Sequence, residues 1–557
     1  METPFVERIY LIGPSGSGKS TVATKVATLL NWSLVDNDAA IERTAGRTIP
    51  AIFAEDGEAG FRALESSTLA ETAQMKQAVV ATGGGIGERA ENLALMRTHG
   101  WVVTLTAAPE VAYQRMRQSA EADDEVATER PMLAGGHALD RLRLLDERRR
   151  GWYAQADDII VTDDLDVDSV AARVVAGLVA RGLLAPAGAA AAVRRIQING
   201  GSSYDAVIAW GGLATLGARL AELRLPPRLH IVADANVAML YEPALMSALI
   251  GAGFEPLVYR VPEGETSKSR EQLNAIHDWL AERRAERGEA LIALGGGVVG
   301  DLAGFAAATY LRGIPLIQVP TSLLAQVDAS IGGKVAIDHP RGKNLIGAFY
   351  QPCLVLADTA TLLTLPPRQR TEGWAEIIKH GVALDGAYFE TLERETEALL
   401  ALQPEPLTRI IAGSVALKAS VVEGDEREHD GGRRHLLNYG HTIAHAIESV
   451  AGYGAWLHGE AVAVGMAAEA RLGLRLGITP ADVVARQDAL LARYDLPTRA
   501  DGFSAAALLR ACLWDKKVSG GRIRWVVPAA LGSAMLVSDV SDNDVMAALM
   551  EIGANAD

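Results

Sequence analysis

The sequence predicts two α/β units in which parallel sheets are covered by helices, followed by a mostly helical segment. Apolar runs such as "RIYLIG" and "WVVTLTA" early in the chain, and "RLHIVAD" and "PLIQVP" later, alternate with amphipathic stretches. This alternation is typical of parallel sheets packed between helices. After about residue 360 the chain turns to long Ala/Leu-rich stretches. We therefore expect a helical half after the second α/β half, with a ligand cleft between them.

The chain length and one change of composition predict where the domains end. A chain of 557 residues exceeds what a single hydrophobic core usually holds. The stretch "LLAPAGAAAAVRR" is an alanine run broken by Pro and Gly, which favours a linker over a helix. The predicted division is a first unit at 1–180, a linker at 181–195, an α/β domain at 196–365 and a helical domain at 366–557.

Charge and cysteine content exclude several classes of protein. The chain has 53 Lys+Arg against 69 Asp+Glu, a net charge of -16, which disfavours nucleic acid or an anionic membrane as the main partner. Cys353 and Cys512 are too few and too far apart for a disulfide framework or a CxxC metal site. The first apolar run leaves no room for a signal peptide, and no uncharged run approaches the ~20 residues of a membrane helix. We expect a soluble, cytoplasmic protein.

The stretch "GPSGSGKS" at 13–20 fits the phosphate-loop pattern G-x-x-x-x-G-K-[ST]. It follows an apolar run and precedes an amphipathic stretch, which is the strand-loop-helix context that the pattern requires. Backbone N–H groups of such a loop surround the β-phosphate, the lysine reaches the β/γ oxygens and the serine can ligate Mg²⁺. Predicted ATP and phosphate contacts are Gly13, Gly16, Gly18, Lys19, Ser20 and Thr21.

The stretch "HTIAHAIE" places His441 and His445 four residues apart with helical apolar spacing. Both imidazoles are therefore expected on one face of a helix. Thr442 stands where the HExxH zinc proteases have their glutamate, which excludes that class. On these residues alone the histidines can hold a metal, touch a substrate or simply pack with ordinary hydrogen bonds.

A second glycine-rich loop, "ALGGGVVGD" at 293–301, contains G-x-G-x-x-G as Gly295, Gly297 and Gly300. Backbone amides of such a loop bind a pyrophosphate where a helix begins. No acidic residue stands about 20 positions further on to bind a ribose, so the ordinary dinucleotide fingerprint is incomplete. Asp301 directly follows the glycines instead.

The first unit resembles the shikimate kinases over nearly all of residues 5–175. Their motifs follow the phosphate loop in order and spacing as "VDND" (35–38), "GFRALE" (60–65), "ATGGG" (81–85), "ERPML" (129–133) and "RRGWY" (149–153). The resemblance implies a P-loop fold and phosphorylation of shikimate by ATP with Mg²⁺.

The resemblance also implies a role for each matched residue. Asp38 is expected to bind shikimate hydroxyls and act as the base, and Asp36 is expected to organise Mg²⁺ with Ser20. Arg62 and Arg149 are expected to bind the shikimate carboxylate through forked donors. The other expected contacts are Lys19, Arg130 on a mobile lid, and the backbone of Gly83, Gly84 and Gly85. The alternative is another small-molecule P-loop kinase, but paired arginines argue against a neutral acceptor.

The second unit resembles 3-dehydroquinate synthase from about residue 200 to 530. The matching motifs are "DANV" (234–237), "PEGETSK" (262–268), "GGGVVGD" (295–301), "YLRGI" (310–314), "PTSLLAQVDASIGGKVAID" (320–338), "GKNLIGAF" (342–349), "GWAEIIKHG" (373–381), "KASVVEGDE" (418–426), "LLNYGHTIAHAIE" (436–448), "LHGEAVAVGM" (457–466) and "DKK" (515–517). The resemblance implies a Rossmann-like α/β domain followed by an all-α domain.

It further implies NAD⁺ and Zn²⁺ or Co²⁺ as cofactors, and conversion of 3-deoxy-D-arabino-heptulosonate 7-phosphate into 3-dehydroquinate and phosphate. Glu376, His441 and His458 are the expected metal ligands, so His445 is expected to face the substrate phosphate instead. Expected NAD contacts are Asp234, Asn236, Glu265, Lys268, Gly296, Gly297, Asp301, Thr321, Ser322, Asp328 and Lys343. Expected substrate contacts are Arg312, Lys334, Asn344, Lys418, Arg434 (or Arg433), Asn438, His445 and Lys516 (or Lys517). Expected catalytic residues of this unit are Lys334, His445 and Lys379.

Two alternatives stay open for the second unit. A metal-dependent polyol dehydrogenase such as glycerol dehydrogenase has a similar glycine loop, but the set of expected phosphate contacts favours the synthase. The second alternative is that one half of the chain is a former enzyme that now serves only as a regulatory or dimerisation module. This alternative predicts a missing catalytic residue, and no expected catalytic residue is missing. Arg312 matches a residue that reaches a neighbouring subunit's site, which implies a homodimer. The hypothesis is a fused enzyme of aromatic amino-acid biosynthesis that carries out two non-consecutive reactions.

Overall fold

The computed structural model describes residues 5–122, 137–184, 192–197, 203–428, 432–452, 454–513, 518–519 and 522–556. The chain divides into two compact units between residues 185 and 186. Residues 192–195, which the sequence assigns to the linker, belong to a strand of the second unit. In the part of the chain that is described, no helix has both the length and the apolar character needed to cross a bilayer.

The first unit is a five-stranded parallel sheet with helices, in the strand order β2-β3-β1-β4-β5. Its strands are β1 (Arg8–Ile12), β2 (Ser33–Asp36), β3 (Ala78–Ala81), β4 (Trp101–Thr106) and β5 (Asp158–Val161). Its helices are α1 (Lys19–Leu30), α2 (Asn37–Ala45), α3 (Ile49–Thr72), α4 (Ala90–His99), α5 (Pro109–Ala122), α6 (Ala138–Tyr153) and α7 (Val167–Ala180).

The position of each strand in this sheet follows from its apolar pattern. Central strands β1, β3 and β4 are almost entirely buried, as expected for apolar runs covered by helices on both faces. The outer strands β2 and β5 are more exposed than these central strands. The carboxyl ends of β1, β2 and β3 carry the phosphate loop, Asp36 and the three-glycine segment, so this edge of the sheet gathers the expected kinase residues.

The second unit begins with a seven-stranded sheet, in the order β6-β7-β14-β11-β10-β8-β9, in which only the β6 and β7 pair is antiparallel. Its strands are β6 (Ala192–Gln197), β7 (Ser203–Ala209), β8 (Arg228–Asp234), β9 (Glu255–Val261), β10 (Ala290–Gly295), β11 (Leu316–Pro320) and β14 (Leu354–Asp358). A separate antiparallel hairpin comprises β12 (Lys334–His339) and β13 (Gly342–Phe349). The helices of this half are α8 (Leu216–Glu222), α9 (Ala235–Gly251), α10 (Arg270–Glu282) and α11 (Gly297–Thr309).

The rest of the second unit is mostly helical, which confirms the predicted α half. Its helices are α12 (Pro367–Leu384), α13 (Gly386–Leu400), α14 (Pro404–Gly424), α15 (His441–Ala451), α16 (His458–Arg475), α17 (Ala481–Arg493), α18 (Ala505–Leu513) and α19 (Asp542–Glu551). Two short antiparallel strand pairs interrupt it, β15 (Val518–Ser519) with β16 (Arg522–Ile523) and β17 (Trp525–Ala530) with β18 (Ser533–Val537).

Helices α12, α15 and α16 form the centre of the helical half. Residues 372–383 of α12 are all buried, and α16 packs against both α12 and α15. A Cβ atom on Gly459 of α16 would lie 2.0 Å from the carbonyl oxygen of Glu372, so only glycine allows these two helices to approach so closely. This approach brings the start of α16 against the middle of α12.

Candidate functional site

The phosphate loop of the first unit has the predicted strand-loop-helix form. It joins β1 to α1, and Gly13, Gly16 and Gly18 all have positive φ angles, which other residues rarely adopt. The Lys19 ammonium folds back and donates to the carbonyl oxygens of Gly13, at 2.9 Å, and Pro14, at 2.8 Å. Burial lowers the pKa of Lys19 to about 8. Thr21 lies on the exposed side of α1.

The predicted magnesium ligands lie next to each other. The Ser20 hydroxyl donates to Asp36 Oδ2 at 2.9 Å, and Asp36 Oδ1 accepts from the backbone N–H of Ala39 at 3.1 Å, which caps α2. Hydroxyl and carboxylate oxygens are the ligands that Mg²⁺ prefers. The side chains of Ser20 and Asp36 therefore fit the ion that the loop needs.

The three-glycine segment after β3 lies against the side chains expected to bind shikimate. A Cβ atom on Gly83 would lie 2.9 Å from Asp38 Oδ1, and one on Gly84 would lie 3.4 Å from Arg149 Nη1. A Cβ atom on Gly85 would lie 2.3 Å from Arg62 Nη2, so a larger residue there would displace the Arg62 guanidinium. The structure thus brings Asp38, Arg62 and Arg149 around one short piece of backbone.

Two carboxylates with no role predicted from the sequence complete this pocket. The buried Glu65 accepts from Arg62 Nη1 at 2.7 Å, and Glu88 accepts from Arg149 Nε at 2.8 Å. Burial raises the pKa of Asp38 to about 6, and the neighbouring Asp36 and Glu65 carboxylates act in the same direction. The only sequence signal for Glu65 is its spacing three residues after Arg62 on a helix. Arg130 lies outside the described residues.

In the second unit, the glycine loop lies where three neighbouring parallel strands end. Asp234 ends β8, Gly295 ends β10, and Thr321 and Ser322 follow β11. A Cβ atom on Gly296 would lie 3.5 Å from Ser322 Oγ, and one on Gly295 would lie 3.5 Å from the Asp234 Cβ. The carboxyl edge of a parallel sheet, beside the start of helix α11, is the usual dinucleotide position.

Lys268 is the centre of the charged groups at this edge. Its side chain is buried, and its ammonium lies 2.8 Å from Asp301 Oδ2 and 3.7 Å from Glu265 Oε1. The same ammonium donates a hydrogen bond to the side-chain oxygen of Asn344. Burial raises the pKa of Asp301 to about 6, although the Lys268 ammonium opposes that rise. Asn236, two residues after Asp234, donates from its side-chain amide to the Glu263 carboxylate. The sequence did not indicate this contact.

The three predicted metal ligands converge from three helices. Glu376 lies on α12, and His441 and His458 are the first residues of α15 and α16. Their donor atoms all lie within 4.8 Å of one another, with Glu376 Oε1 3.4 Å from His441 Nε2 and 3.9 Å from His458 Nε2. The Glu376 side chain is fully buried, and its Oε1 makes no hydrogen bond among the described residues. Two imidazoles and a buried carboxylate fit a divalent transition metal.

A buried network of lysines adjoins this cluster. The Lys379 ammonium pairs with Glu376, and the Lys418 ammonium donates to Asp328 Oδ1 at 2.6 Å. Burial would raise the pKa of Asp328, but the ammonium groups of Lys418 and Lys379 hold it well below its usual range. His380, for which the sequence predicted no role, is also fully buried here.

Residues expected to bind the substrate phosphate contact an acidic side chain instead. Glu428 accepts from Asn438 Nδ2 at 3.0 Å and pairs with the Lys334 ammonium. His445 lies close to the metal cluster, with its ring centroid 5.8 Å from that of His441. Of the other expected substrate contacts, Arg312 is exposed. Lys516 lies outside the described residues.

The structure distinguishes Arg434 from Arg433. Arg433 is exposed, whereas Arg434 is buried. The Arg434 guanidinium donates to the backbone carbonyls of Asp425, at 3.1 Å, Gly332, at 3.3 Å, and Glu426. It thus holds the backbone beside the cleft, and its direct contact with substrate stays a prediction.

The fold and these two sites define a fused enzyme, a P-loop kinase unit followed by a unit with a dinucleotide loop and a histidine-carboxylate metal cluster. Residues 15–179 match the family model for shikimate kinase, 258–372 that for 3-dehydroquinate synthase N-terminal, and 373–518 that for 3-dehydroquinate synthase C-terminal. The 3-dehydroquinate synthase of Pelobacter propionicus is 48% identical over 339 residues, which cover 61% of this chain and 94% of that relative. The chain belongs to the 3-dehydroquinate synthase family and carries a shikimate kinase domain before it, which makes it a bifunctional shikimate-pathway enzyme.

Solved structures agree with this assignment for the second unit. The 2-epi-5-epi-valiolone synthase of Streptomyces hygroscopicus, solved with NAD⁺ and Zn²⁺ bound, is 28% identical with a TM-score of 0.59, and covers 64% of this chain and 99% of its own. A 2-deoxy-scyllo-inosose synthase, complexed with carbaglucose-6-phosphate, NAD⁺ and Co²⁺, is 26% identical with a TM-score of 0.58. The match covers 65% of this chain and 99% of that synthase.

Proposed function

We propose that the first unit transfers a phosphoryl group from ATP to a shikimate hydroxyl in the pocket beside Gly83, Gly84 and Gly85. The observation that carries this proposal is that the Asp38 carboxylate and the guanidinium groups of Arg62 and Arg149 lie against that segment. Asp38 accepts the hydroxyl proton, and Arg62 and Arg149 bind the carboxylate of the acceptor. Lys19 and the Mg²⁺ ion stabilise charge on the phosphates, and Arg130 stays a predicted contributor.

Shikimate phosphorylation is expected to fall as the pH drops through about 6, the pKa of Asp38 in the free protein. The base must be ionised to accept a proton, so protonation at lower pH removes the active form. The measurement is the second-order rate at low concentrations of both shikimate and MgATP, from about pH 5 to pH 8, because only then does the rate report groups of the free enzyme. A profile that stays flat down to about pH 5 would contradict the role of Asp38.

We propose that the second unit converts 3-deoxy-D-arabino-heptulosonate 7-phosphate into 3-dehydroquinate and phosphate. The supporting observation is the convergence of Glu376, His441 and His458 next to the dinucleotide loop. These three residues would hold Zn²⁺ or Co²⁺, and NAD⁺ would lie along the carboxyl edge of β8, β10 and β11. When bound, these groups supply Lewis-acid activation of a substrate hydroxyl and a hydride acceptor that returns the hydride in the same turnover.

Side chains of the chain itself hold the substrate and its protons. Lys334 and Asn438 now contact the Glu428 carboxylate, an anion in the position where the substrate phosphate is expected. Two cation or amide donors that already face an anion are suited to binding phosphate. Lys379 and Lys418, buried between Glu376 and Asp328, are placed to hold a substrate carboxylate or hydroxyl beside the metal.

The test is phosphate release from the heptulosonate phosphate with catalytic amounts of NAD⁺, with shikimate-dependent ADP formation followed in the same preparation. Both activities are expected. A sustained rise of NADH absorbance with simple polyols, without phosphate release, would instead favour the polyol dehydrogenase. The family models that match the second unit, and the relative that covers it, are 3-dehydroquinate synthases, which favours the synthase. The four-part division of the chain and the cytoplasmic location stay predictions.

We propose that the second unit forms a homodimer in which Arg312 completes the partner's site. Arg312 is exposed, on a turn after α11 where its φ angle is 67°. The Arg312→Ala and Lys334→Ala variants, each assayed alone, are expected to show no phosphate release. In a symmetric dimer that contains one subunit of each variant, one of the two sites keeps both Arg312 and Lys334. Random mixing makes about half of the dimers of this kind, so it should restore about a quarter of wild-type activity. No recovery after dissociation and remixing, with the wild type regaining activity in parallel, would contradict the shared site.

A further inference from the structure

We propose that Glu448 is a positioning residue that joins the metal ligand His458 to Lys343 of the hairpin. It lies on α15 seven residues after His441 and three after His445, spacings that put all three side chains on one face of the helix. This inference deepens the proposed function and rests on the metal and NAD sites assigned above.

Each oxygen of this buried carboxylate faces a different donor. Glu448 is 4% exposed, and its Oε1 accepts from Lys343 Nζ at 3.0 Å. Its Oε2 lies 3.6 Å from His458 Nδ1. A buried carboxylate with a basic group at each oxygen is stabilised in its ionised form. One side chain therefore contacts both a predicted metal ligand and a predicted NAD contact.

The contact with His458 determines which ring nitrogen can bind metal. Because Nδ1 faces Glu448, the other nitrogen, Nε2, is directed at Glu376 Oε1, 3.9 Å away. A carboxylate behind a ligating histidine fixes the tautomer and ring orientation and makes the free nitrogen a better donor. Glu448 thus acts on the metal only through His458.

The contact with Lys343 connects the helical half to the hairpin of the α/β half. Lys343 lies on β13, next to Asn344, and its ammonium is also 3.8 Å from Glu265. It therefore stands between an acid of the helical half and an acid of the expected NAD site. Loss of Glu448 would release both the lysine and the histidine at once.

The test is Glu448→Gln in the full chain, with Co²⁺ and NAD⁺ affinities measured separately by calorimetry. An amide has one oxygen acceptor in place of two, so it cannot satisfy both donors. We expect the Co²⁺ affinity to fall about 10- to 100-fold, with an altered visible spectrum of the bound Co²⁺, since loss of a residue that orients a ligand has effects of this size. The NAD⁺ affinity should fall about tenfold. Lys343→Met should weaken NAD⁺ alone.

The control is Glu405→Gln, which removes an exposed carboxylate paired with Arg409 on α14 and should leave both affinities unchanged. Wild-type Co²⁺ affinity and spectrum in folded Glu448→Gln would overturn the inference, whereas a wild type that binds no Co²⁺ would overturn the proposed metal site itself. Should the glutamine variant not fold, Glu448→Asp replaces it. Its shorter carboxylate cannot reach both donors, so two unchanged affinities would again refute the bridge.

Discussion

His458→Ala is expected to lose phosphate release from the heptulosonate phosphate while keeping shikimate-dependent ADP formation. The variant removes one of three converging metal ligands and leaves Glu376 and His441, which are too few to hold a catalytic metal firmly. Substitution of a residue that merely orients a metal ligand usually lowers metal affinity or activity about 10- to 100-fold. Loss of a ligand itself should therefore lower kcat by more than about 100-fold. The measurement is phosphate release at saturating substrate, with bound metal determined on the same sample.

His277→Ala is the matched control for this variant. His277 lies on α10, away from the cluster, and contacts Thr309 at 2.9 Å. Its phosphate release should stay within about twofold of the wild type, as for most substitutions outside a site. If His458→Ala keeps its metal and its phosphate release, the histidine is not a ligand and the metal cluster must be sought elsewhere, for example at Asp328, Glu376 and His380. Unchanged ADP formation in both variants would show that the first unit works independently.

The residues that sequence alone could locate are those whose local pattern carries chemistry. The phosphate loop needs glycines at fixed spacing, so Lys19 and Ser20 are evident from one strand-loop-helix segment. The central strands of both sheets are also predictable, because buried parallel strands are continuous apolar runs. The metal ligands depend on three distant segments, and only the resemblance to a family brought Glu376 together with His441 and His458.

The acidic partners of these sites could not be predicted from the sequence. Glu88 pairs with an arginine 61 residues away, and Glu448 with a lysine 105 residues away. A carboxylate in such a pair looks the same in a sequence as one exposed to solvent, because its role depends on a contact that only the tertiary fold creates. Glu428 differs in one respect, since it lies ten residues from its partner Asn438. Its sequence context is an acidic run, which by itself indicates a solvated loop.

The boundary between the two units shows a similar limit. An alanine run containing proline and glycine predicts a linker, but the residues at its end pair with β7 and extend the second sheet. That antiparallel strand follows no apolar alternation of its own, and its position depends on the free edge of β7. Edge strands are stabilised by their neighbours more than by their own sequence.

Asp38→Asn is expected to lower kcat for shikimate phosphorylation by about 10²- to 10⁴-fold, the usual worth of a general base. Asparagine keeps the size of the side chain and its contact with Gly83, but it cannot accept the hydroxyl proton at neutral pH. Phosphate release by the second unit should not change. The measurement is shikimate-dependent ADP formation under saturating MgATP, together with shikimate binding by calorimetry, because a base that also binds hydroxyl groups is expected to affect both.

The matched control for this variant is Asp56→Asn in the same unit. Asp56 is exposed and pairs with Arg47 at 2.6 Å, outside the pocket. It should retain wild-type kcat, since exposed pairs contribute little. A kcat within tenfold of the wild type in Asp38→Asn would assign proton acceptance to another group. The buried Glu65, whose Oε1 also faces the Gly83 backbone, is the nearest candidate. Substituting Glu65 in the Asp38→Asn background would then separate the two carboxylates, because only the true base should abolish the remaining activity.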